Sequence, residues 1–223
     1  RLQVVPSFPL KSSVTGQGRV ECSPQQDRYL QDEVVQIRAI PVDGWRWVRW
    51  EGDLSGTGLQ APLTMTASRA VHAVFEPIPR HALSVEARGG TVTGGGTYFQ
   101  SQQANLKARA SDGWEFLGWS GDHVGLEPNL SWEVKSPAHL VATFGTRIST
   151  VATGGGKIVL EPAMKVYPHG TRVRVLAVPD PGYGLSLWGG AGVGQADSEW
   201  SFTVTQASPK ISALFGPVLK PCP

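Results

Sequence analysis

The chain has 223 residues, of which 40% are hydrophobic and 17% charged, with 27 Gly and 17 Pro. This is the composition of a folded, turn-rich protein with few long helices, and it excludes extended disorder. A net charge of +2 gives no clustered basic face for nucleic acid, and no apolar run reaches the roughly 18 residues that cross a bilayer, so nucleic-acid binding and membrane insertion are both set aside.

The N-terminus lacks the charged and apolar regions of a secretory leader, as expected of a mature or excised piece of a longer chain. Residues 1–9 (RLQVVPSFP) are β-prone and broken by Pro6 and Pro9, so they are read as an extended segment. Three uses of it stay open: the last strand of a preceding module, a strand donated to a neighbouring subunit, and a plain linker.

Beyond it the chain repeats itself. Gly44-Trp45-Arg46-Trp47-Val48-Arg49-Trp50-Glu51-Gly52-Asp53 returns as Gly113-Trp114-Glu115-Phe116-Leu117-Gly118-Trp119-Ser120-Gly121-Asp122, and again as Gly182-Tyr183-Gly184-Leu185-Ser186-Leu187-Trp188-Gly189-Gly190-Ala191. Trp50, Trp119 and Trp188 are spaced 69 residues apart in each interval. A fixed long period means tandem modules, here residues 10–79, 81–146 and 147–217, followed by a tail of residues 218–223. About 70 residues can just support a core of their own.

Within each module the order of elements is the same. A short strand runs into a glycine-rich turn (Gly16 to Gly18, Gly89-Gly90, Gly154 to Gly156), where glycine supplies the positive φ of a hairpin. No Gly-Lys-Ser/Thr follows, which argues against a phosphate loop. A strand of strict alternation comes next (Val35, Ile37, Ala39; Ala104, Leu106, Ala108; Val173, Val175, Ala177), and period two with polar residues between implies a sheet with one wet face. A Pro or Asp-Gly turn leads into the tryptophan strand, and two alternating strands close the module, ending at Phe75, Phe144 and Phe215. The expectation is about six short strands per module and at most a helical turn.

In the tryptophan strand, Phe116 and Trp119 are three apart, so a regular strand would send them to opposite faces. Both positions stay large and apolar in every copy (Trp47 and Trp50; Leu185 and Trp188), so both are predicted to point inward. That demands a bulge near Gly118. The predicted structural core is Trp47, Trp50, Phe75, Phe116, Trp119, Phe144, Leu185, Trp188 and Phe215.

The second copy, with Gly113 to Asp122, the preceding Leu106-Lys107-Ala108-Arg109-Ala110-Ser111-Asp112 and the closing Leu140-Val141-Ala142-Thr143-Phe144, resembles the divergent internalin-B-type B-repeat family. The third copy departs most, because Trp188-Gly189-Gly190-Ala191 lacks the Ser-Gly-Asp ending. The resemblance implies a mostly β, β-grasp-like module with little or no helix. It also implies strings of such modules on bacterial surface and secreted proteins, as stalk, spacer or adhesion-associated segments.

Few residues invite chemistry. His72, His81, His123, His139 and His169 share no repeat position and no metal-ligand spacing. Asp53 and Asp122 each stand alone after a Trp-x-Gly turn, which favours a turn-capping aspartate over a calcium loop. Neither a catalytic group nor a cofactor or metal site is expected, and the chain is read as non-enzymatic. The aromatics are the candidate ligand contacts: Trp45, Trp114 and Tyr183, assisted by Arg46 and Arg49, could form a row of stacking platforms for a surface glycan or protein. The bland alternative is a second apolar cluster under a loop or between successive modules. Cys22 aligns with Leu160 and is expected as a buried free thiol. A bridge to Cys222 would need the ends of the string to meet within about 7 Å.

The linkers Glu76 to Arg80 and Gly145 to Arg147 are too short for flexible coil, so the modules are expected to stack as a semi-rigid rod. The leading expectation is an extracellular or cell-surface stalk or adhesion segment, partnered by neighbouring domains of a longer chain. The alternatives are a filament subunit assembled from identical copies through its terminal segments, and a carbohydrate- or protein-binding module.

Overall fold

Alternating β-branched and aromatic residues between glycine and proline punctuation leave the chain little choice but short strands. The computed structural model describes residues 4–218 and is all-β, with no helix among them. Cys222, and with it the Cys22 to Cys222 bridge, lies outside the described residues, as do residues 1–3 of the N-terminal segment and 219–223 of the tail. The fold packs as two compact units that part between Arg80 and His81, the second holding the second and third repeats together.

The first repeat comprises β1 (Ser7–Phe8), β2 (Leu10–Thr15), β3 (Gly18–Ser23), β4 (Tyr29–Leu30), β5 (Val34–Pro41), β6 (Trp45–Gly52), β7 (Gln60–Thr64) and β8 (Arg69–Pro77). The second has β9 (Arg80–Arg88), β10 (Gly90–Thr93), β11 (Gly96–Phe99), β12 (Gln102–Ala110), β13 (Glu115–Gly121), β14 (Asn129–Val134) and β15 (Ala138–Thr146). The third has β16 (Ser149–Thr153), β17 (Gly156–Glu161), β18 (Tyr167–Pro168), β19 (Arg172–Pro179), β20 (Tyr183–Gly190), β21 (Glu199–Thr203) and β22 (Lys210–Pro217). Six strands of each repeat make two sheets, with strand orders β2-β8-β6 and β3-β5-β7 in the first. The second repeats this as β9-β15-β13 and β10-β12-β14, and the third as β16-β22-β20 and β17-β19-β21.

The opening strand pairs parallel to the closing one, from Leu10↔Arg69 to Thr15↔Val74 in the first repeat, so everything between them forms the crossover. This changes the meaning of the glycine turn. It was expected to close a hairpin, but β2 and β3 lie in different sheets, and the turn carries the chain from one layer to the other. Two demands meet there. Gly16, Gly89 and Gly154 take φ of +82°, +87° and +90°, while at Gly18, Gly90 and Gly156 a Cβ would sit 2.5 to 2.7 Å from the ring of Phe75, Phe144 or Phe215.

Each repeat fills the space between its sheets with its own core. Trp50, Trp119 and Trp188 are 2%, 3% and 4% exposed, and Phe75, Phe144 and Phe215 are as deeply buried. Trp47, Phe116 and Leu185 pack against these cores at their margins. The expected bulge is present in all three copies: the register of the tryptophan strand against the closing strand slips between Trp47 and Arg49, between Phe116 and Gly118, and between Leu185 and Leu187. One extra residue restores the inward direction of the second aromatic. Phe116 then meets Trp119 and Phe144 edge to face at 5.7 and 5.5 Å, as Trp47 meets Phe75 at 5.6 Å. Gly118 takes φ +144°, where a side chain would also collide with the Gly125 carbonyl. Arg49 and Leu187 fill the matching position in the other copies.

Candidate functional site

The proposed stacking row is assembled differently from a row of open platforms. Trp45, Trp114 and Tyr183 each turn a ring face onto the glycine turn of their own repeat, within 3 Å of where a Cβ on Gly16, Gly89 or Gly155 would lie. Trp45 packs against the first core, Tyr183 is 41% exposed, and Trp114 packs against the cores of both the second and the third repeats. Arg46 is held by Glu76 and Arg49 by Glu51, in exposed ion pairs beside the strand. Pairs of this kind contribute little stability.

The loop after each tryptophan is pinned by the indole. The Nε1–H of Trp50, Trp119 and Trp188 donates to the carbonyl of Gly58, Glu127 and Asp197 at 2.9, 2.8 and 2.8 Å. The backbone N–H of Trp50 and of Trp119 donates to Gly56 and Gly125 in the same loops. Asp53 and Asp122 complete the turn as caps: Asp53 Oδ2 accepts from Ala70 N at 2.7 Å, and Asp122 Oδ2 from His139 N at 2.7 Å. The third repeat keeps the backbone bond, Ala191 N to Lys210 O, without a carboxylate.

Asp53 also accepts from the Arg69 guanidinium, and the Ala70 N–H together with Arg69 lowers its pKa from the ordinary 3.8. A lowered folded-state pKa gives stability that is present above the unfolded value and lost as pH falls through the folded one. We expect Asp53→Asn to flatten the acid limb of thermal stability below about pH 4. Melting curves of both proteins between neutral and strongly acid pH provide the check, and an unchanged acid limb would show that the carboxylate is not the cap.

The histidines are used one by one. His72 lies between the hydroxyls of Ser13 and Thr15, with its two ring nitrogens 2.8 and 2.9 Å away, and His139 Nδ1 is 2.9 Å from Ser84 Oγ. His123 meets Trp132 edge to face. Among the described residues no group of three His, Cys, Asp or Glu is placed to hold a metal ion. Cys22 is a half-buried free thiol whose pKa burial pushes up.

The most built feature of the molecule is the joint between the second and third repeats. β15 does not stop at its own module: Gly145 and Thr146 pair with Pro168 and Tyr167 of β18, while Gly145 still faces Glu115 of β13. His169 N donates to Phe144 O at 2.8 Å, and the His169 ring lies 5.2 Å from that of Trp114. Thr146 is 1% exposed. Its hydroxyl donates to Gly113 O at 2.6 Å and accepts from Ser208 N at 2.8 Å, tying the backbones of the two repeats through one buried oxygen. Alongside is a small cavity of about 180 Å³, edged by Arg147 and Glu115, whose side chains pair.

Tyr167, which receives Thr146 at this joint, was missed in the sequence, although it recurs every 69 residues as Tyr29 and Tyr98. Tyr29 and Tyr167 are buried, and their hydroxyls bind the loop just before them: Tyr29 donates to Pro24 O, and Tyr167 accepts from Met164 N. The period alone would have found them.

The divergent InlB B-repeat domain matches residues 8–79, 81–147 and 146–218. The chain belongs to this family. The third match begins inside the second, at Thr146, the residue that the two B-repeats share across their joint. B-repeats of this family make up repeat regions of bacterial surface proteins. No curated protein matches the chain.

Proposed function

We propose that this B-repeat segment is a non-enzymatic spacer of a surface or secreted protein, placed outside the cell to project or link the other parts of its parent chain. The observation that carries the reading is the joint: a closing strand shared with the next repeat, an indole lodged against two cores, and a buried hydroxyl bonded to both backbones. A spacer transmits position only where successive modules are prevented from swivelling, and these contacts oppose swivelling. The aromatics read as candidate ligand contacts have at least one face committed to packing.

Trp114→Ala tests this. For a spacer, the variant loses about 2 kcal/mol or more from its packing, melts several degrees lower, and lets the second and third repeats tumble separately by NMR relaxation. A variant as stable and as rigid as the parent that loses retention on a glycan array or host-cell surface would replace the spacer reading with ligand recognition.

A further inference from the structure

β16 ends its sheet: β22 lies on one side of it, and among the described residues no strand lies on the other. Ser149 N donates to Pro209 O, which fixes the alternation along the strand. Ser149, Val151 and Thr153 bond to β22, while Thr150 and Ala152 turn their N–H and C=O outward, where no described residue meets them. Free groups of this kind are a template for another strand.

The other repeats guard the matching strand with charge. Ser12, Val85 and Thr150 lie opposite the buried Val71, Leu140 and Ile211, and this fixes which residues correspond. β2 carries Lys11, and β9 carries Glu86 and Arg88 as an ion pair of 3.2 Å. At those places β16 has Ser149, Val151 and Thr153, and its five residues hold neither a charge nor a proline. The change extends across the sheet: where the first repeat pairs Arg49 with Glu51, the third has Leu187 and Gly189. Val151, Leu214 and Leu187, one on each strand of the same wet face, are 60%, 40% and 55% exposed. An unguarded edge thus adjoins apolar side chains left in water.

We propose that β16 is a self-association edge, through which two copies of the chain pair antiparallel about a two-fold axis at Val151. The free groups set the register. Thr150 meets Ala152 of the second copy, Ala152 meets Thr150, and each pair exchanges two hydrogen bonds. Val151 then faces Val151 at the close, non-bonded site, and Ser149 faces Thr153, so apolar meets apolar, hydroxyl meets hydroxyl and no like charges are opposed. The same axis through β9 would set Glu86 against Glu86. A second copy fits better than a foreign strand because the pairing is self-complementary and uses up the edge of each chain, so it closes at two. The seam is short beside the roughly 1,200 Å² of a standard interface, which makes the dimer a weak one, formed where copies are crowded. The inference stands apart from the spacer reading, which needs no second copy.

Charge reversal across the axis provides the test, on the full chain. Val151→Lys and Val151→Glu each oppose a charge to its own copy, and each should weaken association by about tenfold in sedimentation equilibrium run up to about 1 mM. Mixed in equal amounts the two variants should recover it, because each charge then faces its opposite. In the parent, rising concentration should slow exchange of the Thr150 and Ala152 amides and leave the Val151 amide, already bonded to β22, unchanged. With Cys22 and Cys222 replaced by serine, Val151→Cys should oxidise to a linked dimer about tenfold faster than Leu187→Cys, whose site is similarly exposed but lies away from the seam. A parent chain monomeric at about 1 mM, a mixture no more associated than its components, or equal oxidation at the two sites would overturn the proposal.

Discussion

Trp119→Ala should cost about 3 to 5 kcal/mol and unfold the second repeat at temperatures where the parent is intact. The indole is 3% exposed, stands edge to face with Phe116, and holds the loop from Asp122 to Pro128 through its N–H to Glu127 O. Removing it empties a core that a module of this size has few other residues to fill, and it frees the loop that closes one end of the sandwich. Trp119→Phe separates the two effects. It keeps most of the packing and loses the hydrogen bond, so about 1 to 2 kcal/mol is expected. Urea unfolding followed by far-ultraviolet circular dichroism, with amide exchange at Leu106 and Ala142 to localise the loss, is the measurement. A change below about 1 kcal/mol for the alanine variant would mean that the repeat does not depend on its tryptophan.

Thr146→Val should uncouple two repeats rather than unfold one. Valine fits the space of threonine, so the packing survives, but Gly113 O and Ser208 N lose their shared partner. Each lost hydrogen bond is worth about 0.5 to 1.5 kcal/mol, and here the loss falls on the coupling between modules. The parent should show one unfolding transition for residues 81–218 and the variant two, with the third repeat melting apart from the second. Thr146→Ser, which keeps the hydroxyl, should restore most of the coupling. A single unshifted transition in Thr146→Val would reduce the bridge to a by-product of strand pairing.

The repeat architecture was legible in the residues themselves. Three tryptophans at a constant interval, alternation in the strands around them and paired large residues three apart forced both the module count and the bulge, because an inward-facing pair at that spacing has no other geometry in a strand. The alternation of Val35, Ile37 and Ala39 placed the wet and dry faces correctly, since a period of two admits only that division. The glycine turn was located but misread. Sequence reports that a residue needs positive φ, and does not report whether the strands on either side pair with each other or with other strands, which for the opening strand lie about 55 to 61 residues on.

The joint lay beyond such reading for a related reason. Thr146 has Phe8, Pro77 and Pro217 at its matching positions, so no period points to it. Its importance arises only because β15 overruns its module and brings a hydroxyl between two backbones distant in the chain. Trp114 was read with Trp45 and Tyr183 as a candidate ligand contact, but whether a large aromatic serves a ligand or a neighbouring module depends on what lies against its ring. The sequence by itself determined what each module must bury, because hydrophobic spacing is a local and periodic property. Only the tertiary structure decided how one module holds the next, because a contact between repeats is made once and leaves no periodic trace.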